Sequence, residues 1–515
     1  MKTDKIIIVG GGTAGFMTAT TMLKLFPKKR ITLIESPNIK TVGVGESTIN
    51  QFRKWLSLMN IKDEDFMKYC DASYKLSIRF TNFHKKKSGF FDYPFGEFTG
   101  IKGDLRGNLW HIKKILNPKT KINDYVDSFY PVMAMINQNA IFDGVWLPFN
   151  FKKDTAFHFD ATKFGLWLKD SICLPLGLNH IRSGVKDVVI GDSGIKHLIL
   201  DNGDKIKGDL FIDCTGFKSL LLGEAMNEEF ISYSDILPNN KAWATHVEYS
   251  DKKKQLEGFT NCTALSNGWS WNIPLWSRIG TGYVYSDKYV TDEEALIEFK
   301  NHLIEQGHKI SKCKFNNIPM RIGVHKRLFV KNVVAIGLSA GFIEPLESNG
   351  LYTVHEFLFH LIRTMERDNL TQYDRDNFNY TCRNVYQNWS EFVSQHYALS
   401  ERDDSKYWRE CNERVCDESL YDLEPTQNHG FRDFIINKMY NLTFPKDQGV
   451  SCISIGMNNF PLSNNTIIYE SKDNNFNYEP YIKDIKEMDK RTASWNDTVK
   501  DCPSLFEYLT KEIYN

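Results

Sequence analysis

The sequence has no excess of either charge: 64 lysines and arginines stand against 64 aspartates and glutamates, for a formal net charge of +0. No one-signed field draws such a chain to nucleic acid or to an anionic membrane surface, and neither is expected as a partner. It also lacks long apolar runs, and no stretch approaches the ~20 apolar residues of a membrane span. The apolar stretch at residues 6–9 is too short, and too soon followed by glycine, for a signal peptide. The ten cysteines are scattered, with no CxxC pair and no His/Cys spacing of a zinc site. No metal is therefore expected, and the cysteines read as reduced thiols of a cytoplasmic protein. Repeats and low-complexity linkers are missing as well. At 515 residues the chain has room for two or more modules, since domains usually run ~100–200 residues. A globular, enzyme-like chain remains.

What is present begins at once. Lys5–Val9 (KIIIV) is an apolar strand, followed by Gly10-Gly11-Gly12-Thr13-Ala14-Gly15 and a helical run to about Lys24. Glycines 10, 12 and 15 fit the dinucleotide-binding spacing: a tight turn, close approach to a pyrophosphate, and close helix–strand packing. A second strand, Ile31–Glu35, ends in an acid about 20 residues beyond the motif, as a ribose hydroxyl acceptor should. The complete strand–helix–strand context makes a dinucleotide the reading of choice over a merely glycine-rich turn.

A second stretch has the same strand-to-helix form. Asn332–Ser339 (NVVAIGLS) suits a buried strand, and Leu351, Val354, Leu358, Leu361 and Ile362 suit one face of a helix. Between them lie glycines 337, 341 and 350, Pro345, and the acidic residues Glu344 and Glu347. A helix beginning near Asn349–Gly350 points backbone N–H groups outward and welcomes an anion.

Other segments are less explicit. Thr41–Ile49 (TVGVGESTI) has glycines at 43 and 45 that let the backbone lie against a flat or anionic group. Ala72–Phe80 (ASYKLSIRF) alternates strictly, so Lys75 falls on the polar face of a strand, where a lysine is usually just solvated. From His84 to about residue 155 an aromatic segment with Tyr93, Phe95, Trp110 and Trp146 reads as an insertion packed beside the sheet. Asp160 is a plausible helix N-cap. Asn202–Gly203 marks a hairpin, and the chain then reaches a second glycine turn, Asp213-Cys214-Thr215-Gly216-Phe217. Trp269 and Trp271 share one face of the strand Asn267–Leu275, with Thr281–Tyr285 as its neighbour. From Tyr373 the chain reads as mostly helical, with Phe378, Val385, Trp389, Phe392 and His396 on one buried face. The last sixty residues are Asn-rich and poorly patterned.

Together GGGTAG, SYKL, GWSWNIP and GFIEPLESNG resemble the flavin-dependent halogenases of the tryptophan-halogenase type. FHFDA, DCTGF and the helical His396–Trp408 segment resemble the family too, so that the likeness covers most of residues 5–410. The WxWxIP pattern is what separates these enzymes from ordinary flavin monooxygenases. Gly337-Leu338, where related monooxygenases carry Gly-Asp, points the same way.

The resemblance implies an α/β fold: a Rossmann-type, flavin monooxygenase-like FAD-binding module over 1–365, and a mainly helical substrate-covering module over 366–515. It implies FAD, reduced by a separate flavin reductase, together with O2 and a halide ion. The flavin hydroperoxide would oxidise a halide held by the N–H groups of Asn349 and Gly350 to hypohalous acid. Trp269 and Trp271 would shield the flavin from the organic substrate. The oxidant would travel to Lys75, Glu347 would orient it and take the ring proton, and Ser348 would link the two sides. Gly10, Gly11, Gly12, Thr13, Ala14, Gly15, Glu35, Gly45, Ser47, Val185, Leu338 and Leu351 would contact the cofactor. Tyr93 and Phe95 would wall the substrate.

In tryptophan halogenases a tyrosine pair precedes a Cys-Ile-x-x-Gly stretch. Here that place reads Val450-Ser451 before Cys452-Ile453-Ser454-Ile455-Gly456. The expected substrate is therefore an indole, a phenol or another electron-rich aromatic rather than free tryptophan, in a monomer or homodimer. A hydroxylating flavin monooxygenase and a silent flavin-binding scaffold stay as alternatives.

Overall fold

Lys5–Val9 lies inside a six-stranded sheet ordered Asn179–Arg182, Arg30–Glu35, Lys5–Val9, Leu210–Asp213, Val333–Ala335, Phe329–Val330. The first five strands are parallel and the last is antiparallel to its neighbour. Parallel strands are covered on both faces, which is why KIIIV and LFID read as unbroken apolar runs; Ile6, Ile8, Leu210 and Ile212 are all fully buried. Helices follow the carboxyl ends of two of these strands: Thr13–Leu25 after Lys5–Val9, and Gly350–Met365 after the turns that leave Val333–Ala335. In open α/β sheets that end of the strands is where ligands bind.

The computed structural model describes residues 1–39, 46–101, 107–146, 148–367, 369–415, 447–459 and 476–515. These fall into two compact units. The first combines 1–72, 158–240 and 318–389, and the second combines 73–157, 241–317 and 390–515. The expected modules, 1–365 and 366–515, are continuous stretches, whereas each unit is assembled from three.

In the first unit the dinucleotide-binding frame is as the sequence implies. Asp160 caps the Ala161–Leu168 helix by accepting the Lys163 N–H at 3.0 Å. Gly203 has φ +87° in the turn between the antiparallel strands Gly194–Leu200 and Lys205–Ile206, as the hairpin signal requires.

In the second unit Lys241–Val247, Ile279–Tyr285, Gly268–Pro274, Phe259–Leu265, Ser77–Thr81 and Phe90–Pro94 are successive neighbours in one sheet. Two expectations need correction here. Ala72–Phe80 is not one strand with a solvated polar face. It breaks at Leu76 into Ser73–Lys75 and Ser77–Thr81, and Ser73, Lys75 and Ser77 are fully buried. For Ser77 the reason is Phe90–Pro94, which is a strand of this sheet rather than a segment beside it. It brings the buried Asp92 opposite Arg79, which donates to it from Nε and Nη2 at 3.0–3.3 Å, and Ser77 donates to the same carboxylate at 3.3 Å.

Helices dominate the later sequence: Gln372–Ala398, Lys406–Val415, Asp447–Gly456 and Glu479–Val499. His396–Trp408 is not continuously helical. Arg402, 5% exposed, donates to the carbonyls of Asn82 and Ala264 and pairs with Asp404, which draws the backbone out of the helix. The last sixty residues contain an amphipathic helix that their polar composition hides. Ile485, Met488, Trp495 and Val499 form its buried stripe. No described helix is long and apolar enough to cross a membrane.

Candidate active site

The first glycine turn is fixed by close approaches. Gly10 has φ +120°, and a Cβ there would lie 2.1 Å from the Cys214 carbonyl oxygen. A Cβ on Gly15 would lie 1.9 Å from the Gly10 carbonyl oxygen. Both positions exclude any side chain. Gly12 differs, because a Cβ there would meet nothing within 4 Å. Gly12 is also the N-cap of Thr13–Leu25, with no side chain capping the helix. Free N–H groups beside open space are what a pyrophosphate needs, so these residues fit the dinucleotide part of FAD. Thr13 is tied down by donating from Oγ1 to the Ala161 carbonyl at 2.8 Å. Ala14 meets the second strand-to-helix turn, since a Cβ on Gly337 (φ +79°) would lie 2.9 Å from the Ala14 Cβ.

Gly11 makes room for Glu35, whose carboxyl carbon would be 2.4 Å from a Gly11 Cβ. Glu35 Oε2 is 2.8 Å from His180 Nε2. His180 carries no motif of its own. It reaches Glu35 because Asn179–Arg182 pairs in parallel register with Arg30–Glu35, a long-range pairing that local sequence does not signal. Of the other expected cofactor contacts, Leu338 is exposed, Leu351 is buried, and Val185 begins a separate three-stranded sheet half-buried. Gly45 lies outside the described residues.

The turn before the Gly350–Met365 helix brings distant residues together. Ser348 takes a left-handed conformation (φ +58°) and donates to Ser47 Oγ at 3.0 Å, joining positions 301 residues apart. Glu344 and Glu347 are both buried. Asn239 donates to Glu344 Oε2 at 2.8 Å, which marks Glu344 as a structural carboxylate tying the turn to the 239 loop.

Asn349 is the helix N-cap, 2% exposed. Its side-chain oxygen and nitrogen are buried with no hydrogen-bond partner, and no acid occupies the first turn. The N–H groups at Asn349–Gly350 therefore open a 16-residue helix whose positive end no side chain neutralises. A Cβ on Gly350 would lie 3.6 Å from Glu46 Oε2. Burial pushes the Glu46 carboxyl up to about 7, and the neighbouring negative charge of Asp160 adds to the rise. Sequence reasoning passed over Glu46, because the glycines of TVGVGESTI drew attention away from it.

In the second unit Lys75 is fully buried, with Nζ 5.1 Å from the centre of the Phe95 ring. An aromatic face stabilises an ammonium held away from water. Tyr93 pairs with Ile78 and meets Phe392 edge-on at 6.2 Å. The Asp447–Gly456 helix presses on the same strand. A Cβ on Gly449 would lie 2.6 Å from the Tyr93 hydroxyl, and one on Gly456 would lie 2.2 Å from the Phe91 ring. Val450 is fully buried and Ser451 nearly so. Trp269 and Trp271 do share one face of Gly268–Pro274, with ring centres 6.2 Å apart and both buried. Gly282 on the paired strand leaves the room that Trp271 fills, since a Cβ there would lie 2.1 Å from its ring. The residues expected around cofactor and halide thus gather in the first unit. Lys75, Tyr93, Phe95, Trp269 and Trp271 belong to the second.

Comparison with known proteins gives the family. Residues 5–445 match the family model described as tryptophan halogenase. The chain is 33% identical over 442 residues to the tryptophan 6-halogenase SttH of Streptomyces toxytricini, covering 81% of this chain and 82% of that one. Among solved structures, VirX1 in its apo form superposes with a TM-score of 0.90 at 39% identity over 100% of both chains. BrvH, a flavin-dependent halogenase from Brevundimonas sp. BAL3, superposes with a TM-score of 0.83 at 27% identity over 99% of both chains.

Proposed function

We propose, for a chain that belongs to the tryptophan halogenase family and is a flavin-dependent halogenase of an aromatic substrate, that the substrate is a small electron-rich aromatic other than free tryptophan. An indole or a phenol has the required ring and lacks an amino-acid head group to be held. The observation that carries this reading is the Asp447–Gly456 helix. Val450 is buried and aliphatic, so it offers no hydroxyl to a carboxylate or an ammonium. The Gly449 backbone lies against the Tyr93 ring, so a larger side chain at that position has no room. The covering of this substrate is assigned to residues 366–515, of which 390–515 belong to the second unit.

When bound, reduced FAD with O2 supplies the oxidising equivalents that turn halide into hypohalous acid, and a separate flavin reductase delivers the reduced cofactor. The chain's own contribution starts at Asn349 and Gly350, whose N–H groups hold the halide at the helix start. Trp269 and Trp271 keep the organic substrate away from the oxidant's source. Lys75 receives the hypohalous acid. Its ammonium is a compact donor, and burial beside Phe95 removes the water that would compete for the oxidant. Glu347 accepts the proton that leaves the halogenated ring, the usual work of a positioned carboxylate. Ser348, bonded to Ser47, sets the turn that holds Glu347 and Asn349 in place.

The test supplies reduced FAD from a generic reductase, air and bromide, and offers a panel of indoles, phenols and free tryptophan. Mass spectrometry reads the bromine isotope doublet. Bromination of indoles or phenols well above that of tryptophan is the expected result. Tryptophan as the best substrate would overturn the reading of the 449–456 segment. Oxygenated products without bromine, surviving Lys75→Ala, would favour a monooxygenase.

A further inference from the structure

We propose that Glu46 gates the halide site: a halide settles at the start of the Gly350–Met365 helix together with a proton on the Glu46 carboxyl, and leaves when that proton is lost. The inference rests on the assignment of the halide to Asn349 and Gly350, and goes beyond it by naming the group that controls occupancy.

Geometry places the carboxyl there. The Cβ position of Gly350 is 3.6 Å from Glu46 Oε2, an ordinary van der Waals contact, so the acid lies beside a residue whose N–H is assigned to the anion. Asn349 independently marks the spot as a polar site. It is 2% exposed and neither polar atom of its side chain has a partner, a cost that a ligand would relieve. The helix start carries no side-chain cap and no acid in its first turn, and the Glu46 carboxyl lies beside the place the halide needs.

A carboxylate beside a halide in a buried setting repels it strongly, whereas a carboxylic acid donates a hydrogen bond instead. The other titratable groups around Glu46 do not compensate it. His158 sits opposite Ser47 on the paired strand, Asp160 follows that strand, and Glu347 ends the turn before the helix. The helix itself carries His355, which burial keeps neutral by pushing its pKa down to about 3, then His360, and Arg363 in its last turn; Lys54 lies close enough to His355 to act on it. Burial, and then Asp160, push the Glu46 carboxyl up to about 7, which puts the change of charge near neutrality. The sign follows. Below that pH the group is neutral and the halide is accepted; above it the carboxylate expels the halide. By reciprocity, a bound halide raises the proton affinity of Glu46.

The experiment follows thermal unfolding of the full chain against bromide at constant ionic strength from pH 6 to 9, for wild type and Glu46→Gln. The expected result is a wild-type bromide Kd that weakens about tenfold per pH unit above the midpoint, as one coupled proton requires, and an E46Q Kd that is flat. Calorimetry of wild type near pH 8 in two buffers of different ionisation enthalpy should show uptake of about one proton per bromide, which needs no variant to fold. A pH-independent wild-type Kd, no proton uptake, or the wild-type slope in E46Q would each overturn the gate while leaving the halide site standing. No bromide-dependent shift at any pH would remove the halide site itself, and the gate with it.

Discussion

In the first unit the candidate contacts are made by backbone, and in the second by side chains. Gly10, Gly12 and Gly15 shape a cradle from carbonyls and N–H groups, and Asn349–Gly350 offers the end of a helix. Lys75, Phe95, Tyr93, Trp269 and Trp271 instead offer side chains from buried or half-buried positions on or beside strands. The difference teaches how each kind of site is written in sequence. A backbone site needs glycines at fixed spacings, because only they allow φ +120° or a 1.9 Å approach, and such spacings are visible. A side-chain site needs a particular residue at one point of an ordinary strand, and ordinary strands conceal it.

The comparison breaks first at Lys75. Lys75→Ala should lower halogenated product by ~10³-fold or more, with halide oxidation in the first unit continuing; comparing product yield with bromide turnover reads both. Glu347, like Glu46, is an exception in the first unit, a side chain with a chemical task. Glu347→Gln should cost ~10²-fold in product while the substrate KM changes little, and a large rise in KM would make it a binding residue instead. Gly15→Ala tests the backbone side. Its Cβ would lie 1.9 Å from the Gly10 carbonyl oxygen, so the turn must shift, and FAD affinity measured by flavin fluorescence should fall by roughly tenfold, about 1.4 kcal/mol.

The smallest effect concerns His355, on the helix that Asn349 and Gly350 open. Its two ring nitrogens are buried without partners, and Phe52, Tyr352 and Phe359 surround it. Burial drives its pKa down to about 3. The unfolded chain then binds a proton that the folded chain refuses between about pH 6.5 and 3, so stability falls as pH falls through that window. His355→Leu should be neutral or stabilising by about 1 kcal/mol at pH 7 and should flatten the acid side of a urea-midpoint profile. An unchanged profile would show that another group carries the acid sensitivity.

Particular residues show how much could be read in advance. KIIIV, the glycine motif and Glu35 gave the parallel sheet and its ligand edge, and Asn349–Gly350 was marked by the turn before it. Lys75 sat on what looked like a solvated face, because nothing local reveals that Phe95 lies against it or that Asp92 takes up the neighbouring Ser77 and Arg79. Only the likeness to a family singled it out. His180 and Glu46 depend on pairings across 145 and 304 residues, beyond any local pattern. Composition alone does not separate Glu344 from Glu347; the family likeness picked Glu347, and the structure adds that Asn239 donates to Glu344.

The central claim is a division of labour: halide is oxidised by what the first unit holds, and the oxidant is used by Lys75 in the second. It is tested by running Lys75→Ala with reduced FAD, air, bromide and indole, with and without a freely diffusing bromine scavenger. The account predicts that bromoindole is lost while the scavenger is brominated at close to the wild-type rate of halide consumption. Loss of both in a folded, FAD-binding variant, or retention of bromoindole at the wild-type rate, would contradict it.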